Sequence, residues 1–400
     1  MRIYPDADDR ATITRFLGHA RKIYNDALEC MKTERVYKEF GTDGLKCRFS
    51  SVVIGGSKNA YFERFPFLEE LPATSRKYAV KDLMQAFQTN RAKQKKDPKH
   101  RFELKFRSKR GAQTLRIEAC AVKRLGGGRV KLFPRSKEMT APGVGVSEKN
   151  MVDVVSDVTV QKDAMGRYWL LVPYHTAPEN QGGGDGCCAI DPGVRTFATV
   201  YDPDGGLTKF GDGASCRVFK LLLHLDALLS KRAEWASRVG KSKKCAKPYK
   251  SRRRLDGAIS RLRERVKNLV KELHWKVADE LTKRYGTIVI PPFETKDMAS
   301  TKRGRKLRKK SVRQMLGMSH YAFRVRLEHK AASRGREVRV MGEEYTSKTC
   351  TMCGVVDANL GGAKTYRCRS CGAVYDRDGG AARNIFIKNY IMKPFGAMPR

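Results

Sequence analysis

The chain has 400 residues, enough for two or three domains with a sizeable core. Lysine and arginine number 82 against 42 acidic residues, which gives a formal net charge of +40. An excess this large indicates a polyanionic partner, because each phosphate that a basic side chain neutralises releases condensed counterions. No apolar run reaches the roughly 18 residues of a membrane span, and the first ten residues lack the apolar core of a signal peptide.

The first half of the chain predicts a helical part and a β part. Apolar residues at steps of three and four predict an amphipathic helix over 14–34, and 70–94 also has a helical pattern. Residues 100–175 predict a small β-barrel or sheet, beginning with the alternation of Phe102, Leu104 and Phe106. The glycine-rich stretch 181–186 is a predicted linker.

A second domain is predicted from Cys187 onwards, because strands alternate with helices as in an α/β fold. A strand, a tight turn and a second strand open it. The remaining predicted elements are helices over 216–238, 254–285, 311–333 and 381–391, and strands over 287–290 and 337–341.

Four cysteines form the sharpest local pattern. Cys350 and Cys353 make one Cys-x2-Cys pair, and Cys368 and Cys371 make another, each followed by glycine. Four soft ligands in two close pairs are typical of a structural zinc site, which has no open position for catalysis. The remaining cysteines have no pairing logic, so we expect a reducing, intracellular compartment; a redox pair is the alternative interpretation of the cluster.

Two aspartates are candidate ligands for Mg²⁺. Asp191 ends an apolar strand before Pro-Gly, and Asp378 precedes the last predicted helix. A plain turn at Asp191 and a helix N-cap at Asp378 are the simpler alternatives. Carboxylates that converge are what a two-metal nuclease needs, but sequence spacing alone does not show that these two meet.

Several segments together resemble the TnpB/Fanzor family of transposon-encoded RNA-guided nucleases. The segment AIDPGVRTFATVYDPDG resembles the family's first RuvC motif. The segment EEYTSKTCTMCG, the second CxxCG and DRDGGAARNI resemble its zinc ribbon and third RuvC motif. The match is ordered from about residue 187 to 390 and looser before that, and IPPFETKDM is more Fanzor-like than bacterial.

The resemblance implies a fold and an activity. The implied fold is an α/β RNase H-like (RuvC) nuclease domain with an inserted four-cysteine zinc ribbon, plus an N-terminal wedge-type β-barrel domain that carries a helical recognition insertion. The implied activity is Mg²⁺-dependent cleavage of double-stranded DNA, with a guide RNA pairing to the target and the protein reading a short flanking motif. The implied partners are a guide RNA from the same locus and target DNA, bound by a monomer.

The domain boundaries that the resemblance implies are 1–10 and 95–180 for the wedge domain, 11–94 for the helical insertion, 187–345 and 373–400 for the nuclease domain, and 346–372 for the ribbon. A nuclear location follows for a eukaryotic Fanzor-type protein, and a bacterial cytoplasm otherwise. The basic segment 303–310 also resembles a nuclear import signal.

One departure concerns the third metal ligand. The bacterial pattern has a glutamate at the end of the strand over 287–290, where this chain has Pro291 and Pro292. Some Fanzor-like proteins place this carboxylate before the YTS motif, where Glu343 and Glu344 stand. Glu343 matches that register, so Asp191, Glu343 and Asp378 are the expected Mg²⁺ ligands, with Glu294 as the alternative. Neighbouring strand residues face opposite sides, so one of the two adjacent glutamates should reach the site.

Other functions remain open on the sequence. A cleavage-inactive, guided DNA-binding regulator would keep the same motifs, as would a transposase accessory protein. A zinc-ribbon RNA-binding protein would share the charge but show no Mg²⁺-dependent cleavage. The basic segments 241–254 and 301–310 are predicted contacts to nucleic-acid backbone, although solvated surface is the alternative.

Overall fold

The structure is a computed structural model. It describes residues 1–33, 60–98, 100–109, 111–125, 129–133, 154–175, 184, 186–204, 206–240, 248–299, 308–357 and 363–391. The chain divides into two compact units, Met1–His175 and Thr176–Arg400. No helix among these residues is long and apolar enough to cross a membrane.

Helices supply much of the core of the first unit. They are α1 (Ala7–Thr33), α2 (Ala60–Arg64) and α3 (Ala73–Lys96), with a 3-10 turn at Pro66–Glu70. Helix α1 confirms the predicted helix but begins seven residues earlier than position 14, because its first turn is polar and shows no apolar period. The Asp6 side chain accepts a hydrogen bond from the Asp9 amide at 2.8 Å and so caps this turn.

The first unit also contains a four-stranded sheet. Its strands are β1 (Arg2–Ile3), β2 (Gln113–Ile117), β5 (Val158–Lys162) and β6 (Tyr168–Leu171), in the order β1-β6-β5-β2, all antiparallel. A separate hairpin joins β3 (Val122–Leu125) to β4 (Arg129–Leu132). Among the described residues these strands form an open sheet and a hairpin, so closure into a barrel stays a prediction.

The predicted strand around Phe102 to Phe106 is wrong, since this segment joins no sheet. The residue after it, Arg107, is bound by a side chain of α1. The Arg107 amide donates to Asn25 Oδ1 at 2.8 Å, and Asn25 Nδ2 donates to the Arg107 carbonyl at 3.1 Å. Asn25 thus satisfies both backbone groups of Arg107 without a partner strand.

A five-stranded mixed sheet forms the centre of the second unit. Its strands are β7 (Cys187–Pro192), β8 (Ala198–Asp202), β9 (Gly206–Phe210), β10 (Thr287–Ile290) and β11 (Glu337–Val340), in the order β11-β10-β7-β8-β9. Strands β7, β8 and β9 are consecutive antiparallel neighbours, whereas β10 and β11 run parallel to β7. The predicted strand-turn-strand opening of this unit is therefore confirmed.

Two long helices, α4 (Ala214–Gly240) and α5 (Pro248–Arg284), pack against each other and against the sheet. A row of apolar residues of α5, the helix predicted over 254–285, lies in this interface. Its members in the core cluster are Leu255, Ile259, Leu262, Val266 and Leu273. The segment 241–247 that joins the two helices lies outside the described residues.

Helix α6 (Thr295–Ala299) is short, and the predicted helix over 311–333 is two helices, α7 (Lys309–Met318) and α8 (His320–Ser333). The break is at Ser319, whose φ is 51°. It allows the His320 ring to stack on Phe197, at 5.0 Å between ring centroids. The helical period continues on both sides of Ser319, so the pattern did not reveal the break.

The ribbon and a last helix complete the described chain. Strands β12 (Thr365–Arg367) and β13 (Val374–Asp376) pair antiparallel, and α9 (Arg377–Phe386) follows at once, with a π turn at Ile387–Ile391. Helix α9 begins four residues earlier than predicted, so Asp378 lies in its first turn rather than before it. Apolar residues of α9 pack on β7.

Candidate functional site

The four predicted cysteines come together. All four Sγ atoms lie within 4.8 Å of one another, with Cys350 to Cys371 at 3.7 Å and Cys353 to Cys368 at 3.6 Å. A Zn–S bond of about 2.3 Å in a tetrahedron requires Sγ atoms about 3.8 Å apart, so this spacing fits one zinc ion.

Each cysteine pair is shaped by its glycine. Gly354 and Gly372 have φ angles of 76° and 72°, a backbone conformation that residues other than glycine rarely adopt. Their amides donate to the carbonyls of Cys350 and Cys368 at 2.9 and 3.1 Å. Burial opposes ionisation of Cys350, yet backbone N–H groups of Cys353 and Met352 lower its pKa to about 6. The local backbone thus favours the thiolate form that a metal binds.

Asp191 lies near the end of β7 and is half-buried. Burial raises the pKa of Asp191 well above its usual range, and the carboxylates of Asp378 and Glu343 raise it further. Arg377 lowers the same pKa, but by less. The two predicted partners of Asp191 are therefore the two carboxylates that act on it most strongly. A bound cation would stabilise such a group of partly buried carboxylates, because it offsets their mutual repulsion.

Asp378 is not the N-cap of its helix. Asp376 has that role, because its side chain accepts from the Gly379 amide at 3.0 Å and pairs with Lys209 at 3.0 Å. The cap and the Lys209 contact lower the pKa of Asp376, against the effect of its burial. Asp378 remains available for another role, with Arg377 at 3.6 Å.

Glu343 lies in the turn that follows β11 and is half-buried. Burial raises its pKa, and the neighbouring Glu344 adds to the rise. Glu344 is exposed, and its carboxylate pairs with Lys388 at 2.6 Å. The two adjacent glutamates thus have different surroundings, and Glu343 is the one that acts on Asp191.

Glu294 lies elsewhere in the local structure. The chain after β10 turns at Phe293, whose φ is 44°, and the Phe293 ring packs edge-on against His320 at 4.7 Å. Arg324 holds the same segment by donating to the Pro292 carbonyl at 3.2 Å. Glu294 then leads into α6, and it is not among the groups that shift the pKa of Asp191.

The acidic group is more open than the cysteine group. Within the described residues, one group of three or more metal-ligating side chains has its donor atoms within 4.8 Å of one another, and that group is the four cysteines. Asp378 and Glu343 act electrostatically on Asp191 from separate elements, but the three side chains do not form a cluster within that distance.

Sequence reasoning missed residues of α9 that organise the site. Asn384 is buried, and its Nδ2 donates to the carbonyls of Thr346 and Thr349, each at 2.8 Å. Asp376 was also missed as the cap, although an aspartate three residues before Gly379 is a recognisable signal. The predicted nucleic-acid contacts at 241–247 and 301–307 lie outside the part of the chain that the structure describes.

Two family models match parts of the chain. Residues 320–385 match a model described as Cas12f1-like, TNB domain, and residues 1–40 match one described as a helix-turn-helix domain.

Two of the similar proteins match nearly the whole chain, and a third matches about two thirds of it. A protein of Paramecium bursaria Chlorella virus 1, named as a candidate transposase, is 27% identical over 97% of this chain and 85% of its own length. A TnpB-like protein of Acanthamoeba polyphaga mimivirus is 31% identical, and the match covers 64% of this chain and 45% of that protein. A Streptomyces pristinaespiralis protein, named as a candidate RNA-guided DNA endonuclease, is 26% identical over 96% of this chain and 87% of its own.

Among solved structures, a Cas12f1–sgRNA–target DNA complex has a TM-score of 0.49 and 15% identity, covering 95% of this chain and 82% of that one.

The fold and site define a mixed α/β protein in which a four-cysteine ribbon separates two acidic segments. The chain is similar to TnpB-like and transposase-named proteins over its larger part, and its residues 320–385 are similar to the Cas12f1-like TNB domain.

Proposed function

We propose that this protein is an RNA-guided double-stranded DNA endonuclease that cuts with Asp191, Glu343 and Asp378. The observation that carries the proposal is the electrostatic convergence of these three carboxylates. They come from the end of β7, the turn after β11 and the first turn of α9, and Asp378 and Glu343 both raise the pKa of Asp191. Buried like charges destabilise a fold unless a ligand compensates for them, so their retention favours a cation site.

The sheet of the second unit supports a RuvC-type nuclease fold. An antiparallel β7-β8-β9 meander continued by two parallel strands, with Asp191 in the first strand, is the arrangement expected of an RNase H-like domain. The ribbon lies between β11 and α9, where the resemblance places the zinc-ribbon insertion.

The three carboxylates fit Mg²⁺, because it prefers hard oxygen ligands and usually keeps several waters. A bound pair of Mg²⁺ ions would activate the attacking water and stabilise the leaving oxygen of the phosphodiester. The chain's own part is to hold the acids in place. Strand β7 fixes Asp191, and the Asp376 cap fixes the turn that presents Asp378.

Glu343 is the third carboxylate in this proposal. Its nearest rival in sequence, Glu344, is exposed and paired with Lys388. Glu294 precedes α6 and is not among the main causes of the raised pKa of Asp191. A carboxylate after β11 in place of one after β10 is the arrangement that favours the Fanzor-like variant, and with it a nuclear location.

Guide RNA and target DNA are the proposed partners. The net charge of +40 suits the backbone of an RNA–DNA heteroduplex, which a protein grips by shape and charge while base pairing reads the sequence. The name of the Streptomyces relative agrees with this activity. The proposal includes recognition of a short flanking DNA motif, a monomeric protein with one RNA, and the wedge, insertion, nuclease and ribbon boundaries given above.

A cleavage-inactive, guided regulator is the second candidate. The Chlorella virus relative is named as a transposase, and that name does not mention RNA-guided DNA cleavage. A transposase accessory protein is a further form of it. The retained acidic trio favours the nuclease.

The test is guided cleavage by purified protein with the RNA that copurifies from its native locus. The wild type should cut a matching duplex in Mg²⁺, and Asp191→Ala should lose cutting by at least about 100-fold while binding the duplex within a few-fold. Glu234→Gln, on the exposed face of α4, is the matched control and should cut normally. Cutting by Asp191→Ala, or no defined RNA in the preparation, contradicts the proposal.

A further inference from the structure

Tyr345 has an unusual backbone and an unusual position. Its φ is 64°, in the left-handed region that residues other than glycine rarely occupy. Its side chain is 68% exposed, directly beside Glu343 and Glu344. A non-glycine residue in such a conformation costs on the order of 1 kcal/mol or more, and it persists when the surrounding structure imposes it.

The surrounding structure does impose it. The Tyr345 carbonyl accepts from the amides of Lys348 and Thr349 at 2.9 and 3.0 Å, and from Thr349 Oγ1 at 2.9 Å. On the preceding side, the Glu343 carbonyl accepts from the Thr346 amide at 3.2 Å and from Thr346 Oγ1 at 2.8 Å. Both flanks of Tyr345 are thus fixed by short hydrogen bonds.

Helix α9 anchors the same turn. Asn384 is 8% exposed and donates to the carbonyls of Thr346 and Thr349. The helix that presents Asp378 therefore also holds the turn that presents Glu343 and Tyr345. A turn held in this way keeps the backbone that carries the exposed ring in a defined place, two residues after Glu343.

The fold gains little from the ring itself. Within the described residues, Tyr345 makes none of the ring pairs that join the other core aromatics, and two thirds of its surface faces water. Glycine would adopt the same φ without strain. A strained, exposed and firmly held aromatic beside a candidate catalytic site is better explained by a ligand than by packing.

We propose that Tyr345 is a stacking platform for one unstacked base of the single nucleic-acid strand that enters the carboxylate site. The inference rests on the proposed function, since it assigns a substrate contact at the same site. Base stacking on an aromatic side chain is typical of single-strand binding, tolerates any sequence and needs a flat ring with an open face. A duplex would not offer such a base, because its bases are already stacked and paired.

The test is photocrosslinking of the full-length protein to a single-stranded oligothymidylate in which 5-iodouracil replaces thymine, since this base crosslinks to aromatic rings that stack on it. Ca²⁺ replaces Mg²⁺ to prevent cutting. Mass spectrometry should find a crosslinked peptide that contains Tyr345, and the same oligonucleotide in duplex form should give none there.

Three variants separate stacking from a structural role. Tyr345→Phe should keep the crosslink. Tyr345→Gly should raise the unfolding temperature by relieving the strain, yet reduce the crosslink in this turn at least about fivefold, the factor that ~1 kcal/mol of stacking represents. Ser319→Gly, at another strained turn with φ 51°, should raise the unfolding temperature without changing the crosslink.

Crosslinks that avoid this turn, or equal yields from wild type and Tyr345→Gly, overturn the inference. Because crosslinking needs neither guide RNA nor cleavage, its outcome is separate from the fate of the proposed nuclease. A crosslink at Tyr345 in a protein that never cuts DNA would contradict the proposed nuclease activity but not the stacking platform. Normal guided cutting without any crosslink at Tyr345 would contradict the stacking platform but not the nuclease activity.

Discussion

Lys388 binds Glu344 through two contacts. Its Nζ donates to Glu344 Oε2 at 2.6 Å and to the Glu344 carbonyl at 3.2 Å. Glu343, one residue earlier, is half-buried and acts on Asp191. The chain turns at this point, since the Glu343 carbonyl accepts from the Thr346 amide, and the two adjacent glutamates have different neighbours.

The roles of the three glutamates follow from this relationship. In guided cleavage assays, Glu343→Gln should reduce the rate at least about 100-fold, since it removes a negative ligand from a divalent metal site. Glu344→Gln and Glu294→Gln should stay within about threefold of the wild type, because Glu344 is exposed and paired with Lys388, and Asp378 and Glu343 are the carboxylates that raise the pKa of Asp191 most. A large loss with Glu294→Gln and none with Glu343→Gln would reverse the assignment.

Asp376 and Asp378 should separate stability from activity. Asp376→Ala removes a helix cap and the Lys209 pair, so the free energy of unfolding should fall by about 1 kcal/mol, with a lower unfolding temperature. Asp378→Asn keeps the cap and should leave that temperature nearly unchanged while abolishing cleavage. Thermal unfolding and a cleavage assay on both variants test the division. Loss of stability in Asp378→Asn equal to that in Asp376→Ala would contradict it.

The ribbon should bind one zinc ion per chain. Elemental analysis should find zinc in the wild type and a loss of it in Cys368→Ser, because three thiolates bind zinc less tightly than four. Limited proteolysis should then cut within 346–372. Cys120→Ser, at an exposed cysteine of the first unit, is the control and should retain zinc. Full zinc content in Cys368→Ser would show that this cysteine is not a ligand.

Two buried histidines should make the second unit sensitive to acid. Burial lowers the pKa of His274 to about 4 and that of His320 to about 3, against an ordinary value of 6.5. At a pH between 6.5 and these lowered pKa values, each of the two histidines is protonated in the unfolded chain but neutral in the folded chain. Stability is therefore complete above pH 6.5 and falls as the pH drops towards 4, by about 2 kcal/mol per histidine at pH 5.

The measurement is urea unfolding at pH 7 and pH 5. His320→Phe should reduce the loss of stability between the two pH values, since it removes one of the two groups and keeps a ring next to Phe197. His224→Gln, at an exposed histidine of α4, should leave the loss unchanged. The same pH dependence in His320→Phe and wild type would contradict the assignment to His320.

The sequence predicted those features that depend on local chemistry. The cysteine pairs and the strand that ends near Asp191 follow from spacing and apolar runs, and the structure confirms both. The roles of Asp191, Glu343 and Asp378 came from family resemblance and stay a proposal, although the structure brings their charges together.

Features that depend on distant partners escaped prediction. The alternation at 102–106 wrongly predicted a strand, since the segment joins no sheet and the residue after it, Arg107, bonds to Asn25, 82 positions away in the sequence. The break at Ser319 follows from stacking of His320 on Phe197, and no local breaker marks it. The Asn384 contacts likewise link residues 35 and 38 positions apart. Local patterns carry no information about such pairings.

The ribbon leaves and rejoins the second unit at nearly the same place. Asn384 secures Thr349 on the outgoing side, and on the return side the Tyr375 hydroxyl accepts from the Thr351 amide at 2.9 Å. Once the two ends of an insertion are joined in this way, lengthening it adds little loop-closure cost, because that cost grows slowly with length. Lineages could therefore lengthen, shorten or exchange the ribbon without moving the acidic residues on either side, which makes this junction a natural point for grafting a new module onto the protein.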